Sequence, residues 1–315
     1  MRALTIEPEG VLAVREHPDP VPGVSEVLVR VRAAGMNPAD LGQRMGLYPA
    51  PYGSPPDIPG LDLAGEVIAR GPYARRFSVG DRVMAVVGGG AQAELMAVHE
   101  RQLMPVPDAL SWEQAGGFPE VFVTAHDALV AQAAVRPGER VLVNGAAGGV
   151  GIAGVQIASA AGAEVVASVR SPGTRDAVVA LGAAVAIDPS EIAGHGPYDV
   201  VLELVGASNV ESDLRALNLS GRIVVIGASP ETREATIDLA VLGAKRATIR
   251  GSTLRSRPFE DKASAMRAVE REVLPLVAAG RILVPVAATF PLADAAAAYE
   301  SFVQRGKLGK IVLLP

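Results

Sequence analysis

The sequence predicts an α/β protein of two lobes, one irregular and β-rich, the other a doubly wound parallel sheet. Three observations carry that expectation. The chain has 315 residues, more than one compact core usually holds. Its texture changes near Pro119, from short strand-like runs separated by turns to an alternation of strands and helices. Soon after that change an apolar run, RVLVN, meets a cluster of glycines that opens an alanine-rich helical stretch.

In chain order, residues 1–119 hold the runs VLAVRE, EVLVRVRAAG, LAGEVIARG, RVMAVV and AELMAV. Proline and glycine are dense between them (PDPVPG, YPAPYGSPPDIPG), the pattern of an irregular all-β lobe. From 120 to 253 the runs RVLVNG, AEVVASV, AAVAI, DVVLELVG and GRIVVIG are short and continuously apolar, as strands buried on both faces are. Helical patterns separate most of them. One begins at Ser171 with Pro172 at the first helical position. Another begins at Ser208, with Glu211 three residues on as a capping box. Between AAVAI and DVVLELVG only Asp188 to Tyr198 remain. That is short for a crossover between parallel strands and predicts a reduced connection over an exposed patch of sheet. Residues 254–315 carry a long helix pattern (FEDKASAMRAVEREVLPLVAAG), another over 292–305, and a last strand, KIVLL.

Composition narrows the function. The chain is 49% hydrophobic and 20% charged, enough to bury a core and unlike a disordered chain. A net charge of −5 with no basic block disfavours a nucleic-acid partner. With no cysteine there is no disulfide framework and no thiolate metal site. His17, His99, His126 and His195 lie far apart and match no metal-ligand spacing. Glu7 and Pro8 interrupt the start too early for a signal peptide, and no apolar run approaches the roughly 18 residues of a membrane span. The expectation is a cytoplasmic protein with no membrane partner. No G-x-S-x-G, P-loop or H-E-x-x-H pattern supports a hydrolase or kinase.

The glycine cluster is the strongest motif. Gly145, Gly148 and Gly151 are spaced three apart, and Gly149-x-Gly151-x-x-Gly154 fits the dinucleotide pattern in a second register. Both registers stand on sequence alone. Glycine lets the backbone approach a pyrophosphate, and unpaired N–H groups at a helix start attract its charge. Gly145, Ala147, Gly148, Gly149, Val150 and Gly151 are therefore candidate cofactor-binding residues. The next strand, AEVVASVRS, lacks the terminal acid that usually takes the ribose hydroxyls of NAD; its only acid, Glu164, lies at the other end. It ends instead in Arg170 and Ser171, with Arg175 one turn further. A guanidinium pairs with a 2′-phosphate and a serine donates at a helix start, which selects NADP(H).

At this point the chain resembles a known family. The stretches AAGMNPADLGQRMGLYP, PGLDLAGEV, VGDRVMAVVGGGAQAEL, GGFPEVFVTAHDAL, PGERVLVNGAAGGVG, GRIVVIG, GSTLRSR and GKIVLLP are similar to the zinc-independent quinone oxidoreductases of the medium-chain dehydrogenase/reductase superfamily. PEVFVTA and GSTLRSR resemble the tumour-suppressor-inducible subfamily. The resemblance covers essentially the whole chain. It implies a GroES-like β lobe (1–119), a Rossmann lobe (120–253) and a C-terminal segment (254–315) that returns to the first lobe. It also implies a cleft between lobes, lined by the segment of Asn37 and Tyr48. Thr124 would contact the nicotinamide, and Gly227, Ala228 and the segment Ser252 to Arg255, Leu254 included, would close over the cofactor. Alcohol dehydrogenases of the superfamily hold zinc by a cysteine and a histidine in the regions equivalent to GMNPAD and GLDLAG; this chain offers Asn37 and Asp62 there. The expected metal ligands are therefore none.

Two departures bear on the cofactor. Thr174 stands where the family usually has a lysine, and Pro189 where many relatives have a tyrosine, so NADP(H) preference rests more heavily on Arg170. Relatives dimerise edge to edge, and RATIRGS (Arg246 to Ser252) alternates as the edge strand of a homodimer should. Without zinc, the acceptor of a nicotinamide hydride must already be electrophilic, such as a quinone or a conjugated enone. Tyr48 is the candidate to hydrogen-bond the acceptor oxygen or to pass it a proton, or it is a cleft-lining aromatic. Asn37 is the candidate to polarise a carbonyl, or it fixes the turn before Pro38. The expected function is NADPH-dependent reduction of such an acceptor. The alternative is a dinucleotide-binding structural or sensor protein with vestigial catalysis.

Overall fold

The computed structural model describes residues 1–227 and 233–315, which divide into two compact units. The first holds Met1–Glu120, Leu254–Gln304 and Lys310–Pro315; the second holds Val121–Thr253 and Arg305–Gly309.

The first unit is built on a seven-stranded sheet around the ten-residue strand Glu26–Gly35. Along EVLVRVRAAG, Val27, Val29 and Val31 are buried while Arg30 and Arg32 face water, the period of two that a half-buried strand requires. Asp62–Arg70 pairs antiparallel along one side of it. On the other side Leu95–His99 pairs with its first half, and Lys310–Leu314 with Ala34 and Gly35 at its end. The last strand of the chain is thus laid beside the exit of Glu26–Gly35. The helix Ala295–Val303 closes the core from one side, burying Ala295, Ala298 and Tyr299 at helical spacing.

The long helical pattern is two helices, Phe259–Glu272 and Leu274–Ala278. Pro275 lacks the N–H that would continue the first ladder, and the break falls at Val273, φ −106°. The pattern over 292–305 resolves into a 3₁₀ turn, Leu292–Asp294, followed by the α-helix Ala295–Val303.

The second unit is a six-stranded, wholly parallel sheet. Its order is Val185–Ile187, Glu164–Ser168, Arg140–Asn144, Tyr198–Glu203, Leu217–Val225, Thr248–Gly251. That is the doubly wound 3-2-1-4-5-6 order, and the chain reverses direction of growth between Arg140–Asn144 and Tyr198–Glu203. Thr248–Gly251 is an edge strand, as its alternation suggests.

Two local expectations are corrected. The short connection from Asp188 to Tyr198 does not leave the sheet bare. It forms a 3₁₀ helix, Pro189–His195, whose Ile192 enters the core with Leu142, Val166 and Val201. Tyr198 fills the remaining space, and its hydroxyl donates to the carbonyl of Ile192 at 2.8 Å. One aliphatic and one aromatic side chain do the covering that a longer helix would do. The helix near Ser208 starts one residue earlier, as Ala207–Ala216, and the Ser208–Glu211 box does not form. Gly206, at φ +127°, occupies the cap position, and the Glu203 carboxylate accepts from the N–H groups of Val205 (2.5 Å) and Gly206 (2.7 Å). The acid secures the turn before the helix, and no side chain among the described residues caps the helix itself. Among the described residues no helix is long and apolar enough to cross a membrane.

Candidate active site

The glycine cluster occupies the loop from strand Arg140–Asn144 to helix Gly149–Ala160. Glycines of both registers have a part in the structure. Gly145 makes the turn at φ +73°, and Gly148 is the N-cap of the helix. Gly151 is fixed by close approach: a Cβ there would lie 2.4 Å from the Gly145 carbonyl oxygen. The 145/148/151 set therefore shapes the loop. Gly154 belongs to helix–sheet packing, where a Cβ would lie 2.7 Å from Leu202 Cδ2. The N–H groups of Ala147, Gly149, Val150 and Gly151 find no acceptor among the described residues. They form a row of donors at the start of a 12-residue helix, suited to an anion.

Beneath that loop, at the ends of the two strands flanking the switch, lies a buried polar cluster. Asn144 Nδ2 donates to Glu203 Oε2 at 2.6 Å and to both Asp213 oxygens at 3.0 and 3.1 Å. Asn209 Nδ2 adds a fourth donor to Glu203 at 3.2 Å. Burial and the neighbouring Glu203 carboxylate push Asp213 up to about 9, so at neutral pH Asp213 keeps its proton and shares it with Glu203. Asn144 Oδ1 is buried and has no partner among the described residues.

The remaining sequence-derived cofactor residues fall as follows. Arg170 is exposed and makes no hydrogen bond or ion pair with a described residue, while Ser171 caps the 3₁₀ turn Pro172–Thr174 in position only. Arg175 is committed elsewhere: Nη2 meets Asp188 Oδ2 at 2.7 Å and Nε donates to the Val169 carbonyl. Thr124 is buried in the helix Pro119–His126. Gly227 is pressed on the chain at Leu204, where a Cβ would lie 2.1 Å from the carbonyl oxygen. Ala228 lies outside the described residues. Leu254 is buried in the first unit.

In the first unit the two segments that would carry zinc ligands in an alcohol dehydrogenase do meet, but around a lysine. Lys310, on the last strand, directs its ammonium to the Met36 carbonyl (2.8 Å), Asn37 Oδ1 (2.6 Å) and Asp62 Oδ2 (3.1 Å). Asn37 Nδ2 closes the ring on Asp62 Oδ2 at 3.0 Å. Asp62 Oδ1 accepts from the Glu120 N–H at 2.5 Å. Burial raises the Asp62 carboxyl against the pull of Lys310, Asn37 and that N–H. Asp40 lies in the same network, accepting from the N–H groups of Asn37 (2.8 Å) and Gly60 (3.1 Å) and from Gln92 (3.3 Å). Burial takes its carboxyl up to about 7. Gln92 in turn accepts from the Tyr299 hydroxyl at 3.0 Å. Among the described residues no group of three or more His, Asp or Glu could hold a metal.

Asn37 is 2% exposed; its side chain is spent on this network, and its backbone N–H and carbonyl meet Asp40 at the helix start. Tyr48 is 38% exposed, open enough to meet a ligand, on the loop that follows the helix Pro38–Arg44. Lys310 was not singled out from the sequence. The available signal was a lysine opening an otherwise apolar strand, KIVLL, where a charge has to find a buried partner.

Residues 23–108 match the alcohol dehydrogenase GroES-like domain, and residues 149–271 match the model described as zinc-binding dehydrogenase. A quinone oxidoreductase of Pseudomonas aeruginosa is 34% identical over 97% of this chain and 96% of its own. The human quinone oxidoreductase is 31% identical over 94% of this chain and 91% of its own. Among solved structures, the quinone oxidoreductase of Thermus thermophilus, determined alone and with NADPH, has a TM-score of 0.86 at 36% identity, covering 100% of both chains. That of Pseudomonas syringae gives 0.87 at 30% identity, covering 100% of this chain and 99% of its own. The chain belongs to the quinone oxidoreductases of the medium-chain dehydrogenase/reductase superfamily, a family of oxidoreductases.

Proposed function

We propose that the protein reduces quinones or conjugated enones with NADPH, without zinc. The observation that carries this reading is the Lys310 ammonium held between Asn37 and Asp62. A cation already occupies the meeting point of those two segments, and Asn37 presents an N–H to Asp62. A zinc ion would have to displace the first and turn the second around.

The residues fit a dinucleotide. The donor row at Ala147 to Gly151, where the glycine turn enters the helix, would hold the pyrophosphate. Arg170, exposed and uncommitted, would take the 2′-phosphate, whereas Arg175 would first have to leave Asp188. When bound, the nicotinamide supplies the hydride. The chain's own part is to orient the acceptor, exclude water and hydrogen-bond the oxygen that gains charge. Tyr48 is the group for that last task, with Asn37 held in the supporting network. The exposed edge Thr248–Gly251 supports a homodimer joined edge to edge.

Nicotinamide fluorescence and steady-state NADPH oxidation over a panel of quinones and enones test the reading. NADPH should bind at least about tenfold more tightly than NADH, roughly 1.4 kcal/mol. Arg170→Ala should erase most of that difference and leave NADH nearly unchanged. Activity should survive exhaustive chelation. Equal affinities in the wild type, or activity lost to a chelator and restored by zinc alone, would overturn it.

A further inference from the structure

Arg255 is the least expected charge in the first unit. It is 3% exposed and makes no ion pair with a carboxylate among the described residues. Its guanidinium faces neutral groups instead. Nε donates to the Gly88 carbonyl at 2.7 Å, Nη1 to the Tyr48 carbonyl at 3.1 Å and Nη2 to Gln43 Oε1. Its Cζ lies 5.2 Å from the centre of the Tyr48 ring. Burial lowers its pKa, with Asp40 and Tyr48 pulling the other way.

Those acceptors belong to three separate pieces of chain. Gln43 is on the helix Pro38–Arg44 and also donates to the Pro56 carbonyl at 3.0 Å. Tyr48 is on the stretch 45–56, which has neither helix nor strand. Gly88 opens the triplet Gly88–Gly90, where a Cβ would lie 2.2 Å from Ser54 Oγ. At the start of the stretch 45–56 the backbone turns back on the preceding helix: Met45 donates to the Leu41 carbonyl, Gly46 to that of Gln43, and Leu47 and Tyr48 to that of Gly42, while further on Ser54 donates to the Pro51 carbonyl. Met45, Leu47 and Tyr52 on the same stretch are exposed, so apolar packing does little to hold it.

We propose that Arg255 is the positioning residue for Tyr48, tying its loop to the preceding helix and to the Gly88 turn and lying against its ring. The proposal rests on the reading of Tyr48 as the group that meets the acceptor. Physical cost argues for it. Burying a guanidinium without a carboxylate is unfavourable, and an apolar side chain fills such a space without that penalty. What a guanidinium adds is direction: a planar fork holds three acceptors at fixed angles and presents a flat cation to an aromatic face. Lysine cannot reproduce this, because one ammonium cannot reach three segments in the same plane.

The test uses the full-length chain carrying Arg255→Lys, alone and with Tyr48→Phe. Hydrogen exchange read by mass spectrometry should speed up at residues 42–56 and 86–90 in Arg255→Lys and stay unchanged at 140–160. NADPH affinity should stay within about twofold. For an enone kcat/KM should fall about 10- to 100-fold, the scale expected when a contacting group is misplaced by about 1 Å. In the Tyr48→Phe background the same substitution should cost less than about threefold, because it acts through a hydroxyl already gone. Unchanged exchange at 42–56, or losses that multiply in the double variant, would overturn the proposal. A Tyr48→Phe enzyme with wild-type rates would remove the catalytic reading of Tyr48, and the exchange data would still decide whether Arg255 holds the loop. Should Arg255→Lys fail to fold, Gln43→Met, which removes one anchor of the fork, carries the same exchange measurement. Faster exchange at 42–56 sustains the proposal, and wild-type exchange there ends it.

Discussion

Each unit buries acids at the place where its chemistry is expected, and the two neutralise them differently. In the first unit Asp40 and Asp62 lie around the Lys310 ammonium, delivered by the last strand of the chain to residues near its start. In the second, Glu203 and Asp213 have no cation beside them among the described residues; they share a proton and lean on the amides of Asn144 and Asn209. The first solution needs long-range topology. The exit of strand Glu26–Gly35 is paired with Lys310–Leu314, and only that pairing brings the lysine to Asn37. The second is local to the switch point, assembled from two adjacent strands and the helix that follows one of them. A cation makes a cluster dependent on one residue, while a shared proton makes it dependent on pH.

The largest expected effect comes from removing the cation. Lys310→Met should leave Asp62 buried, 0% exposed, with only Asn37 and one N–H among the described residues to answer its charge. A broken buried pair of this kind costs about 3–5 kcal/mol. Urea unfolding at pH 7 measures it. Adding Asp62→Asn should recover part of the loss, since the second charge goes too. A double variant no better than Lys310→Met alone would show that the lysine matters for packing rather than charge.

The second test replaces the shared proton. Asp213 titrates near 4 in an unfolded chain and at about 9 in the fold. The unfolded chain gives up its proton first. Stability from this group is therefore complete below about pH 4, falls by up to about 1.4 kcal/mol per pH unit as pH rises, and levels off above about 9. Asp40, raised to about 7, has the same sign over the narrower window from about 4 to 7. Asp213→Asn keeps the shape and a donor toward Glu203. It should flatten the decline between pH 7 and 9 and leave the Asp40 contribution below 7. At pH 8 it should stabilise by at least about 1 kcal/mol, and at pH 4 by little. Thermal unfolding across that range checks both ends, and a slope unchanged above pH 7 would refute the shared proton.

How much of this was legible beforehand follows the same division. The second unit is local in sequence: the apolar runs give the strands, and the glycine spacing gives the loop. The division of labour among those glycines needed the structure: Gly145 turns the loop at φ +73°, Gly151 permits a backbone contact that excludes a Cβ, and Gly154 lets the helix pack on Leu202. What escaped there was Glu203, because an acid ending an apolar run reads like any strand terminus until its carboxylate is seen holding Val205 and Gly206. In the first unit Asn37 and Asp62 were found by resemblance, but their partner lies 248 positions from Asp62. Arg255 was grouped with a segment expected to close over the cofactor, and nothing in that grouping signals that its side chain holds Gln43, Tyr48 and Gly88. No periodicity encodes such pairings; they exist only once the sheet has formed.

The smallest effect should come from the outermost amide of the proton-sharing cluster. Asn209 sits in the first turn of helix Ala207–Ala216, and its Nδ2 is the most distant of the four donors to Glu203, at 3.2 Å against 2.5 to 2.7 Å for the others. Asn209→Ala should cost about 1 kcal/mol, the ordinary net value of a hydrogen bond, because Glu203 keeps three shorter ones. Alanine's helix propensity offsets part of even that. The same truncation at Asn37 should cost clearly more, since there one amide bonds both Lys310 and Asp62, and its loss leaves two buried charges short of a partner. Parallel urea titrations of Asn209→Ala and Asn37→Ala give the ratio directly. Equal losses would mean that the second cluster is as dependent on single side chains as the first, and that the shared proton does not provide the slack assigned to it.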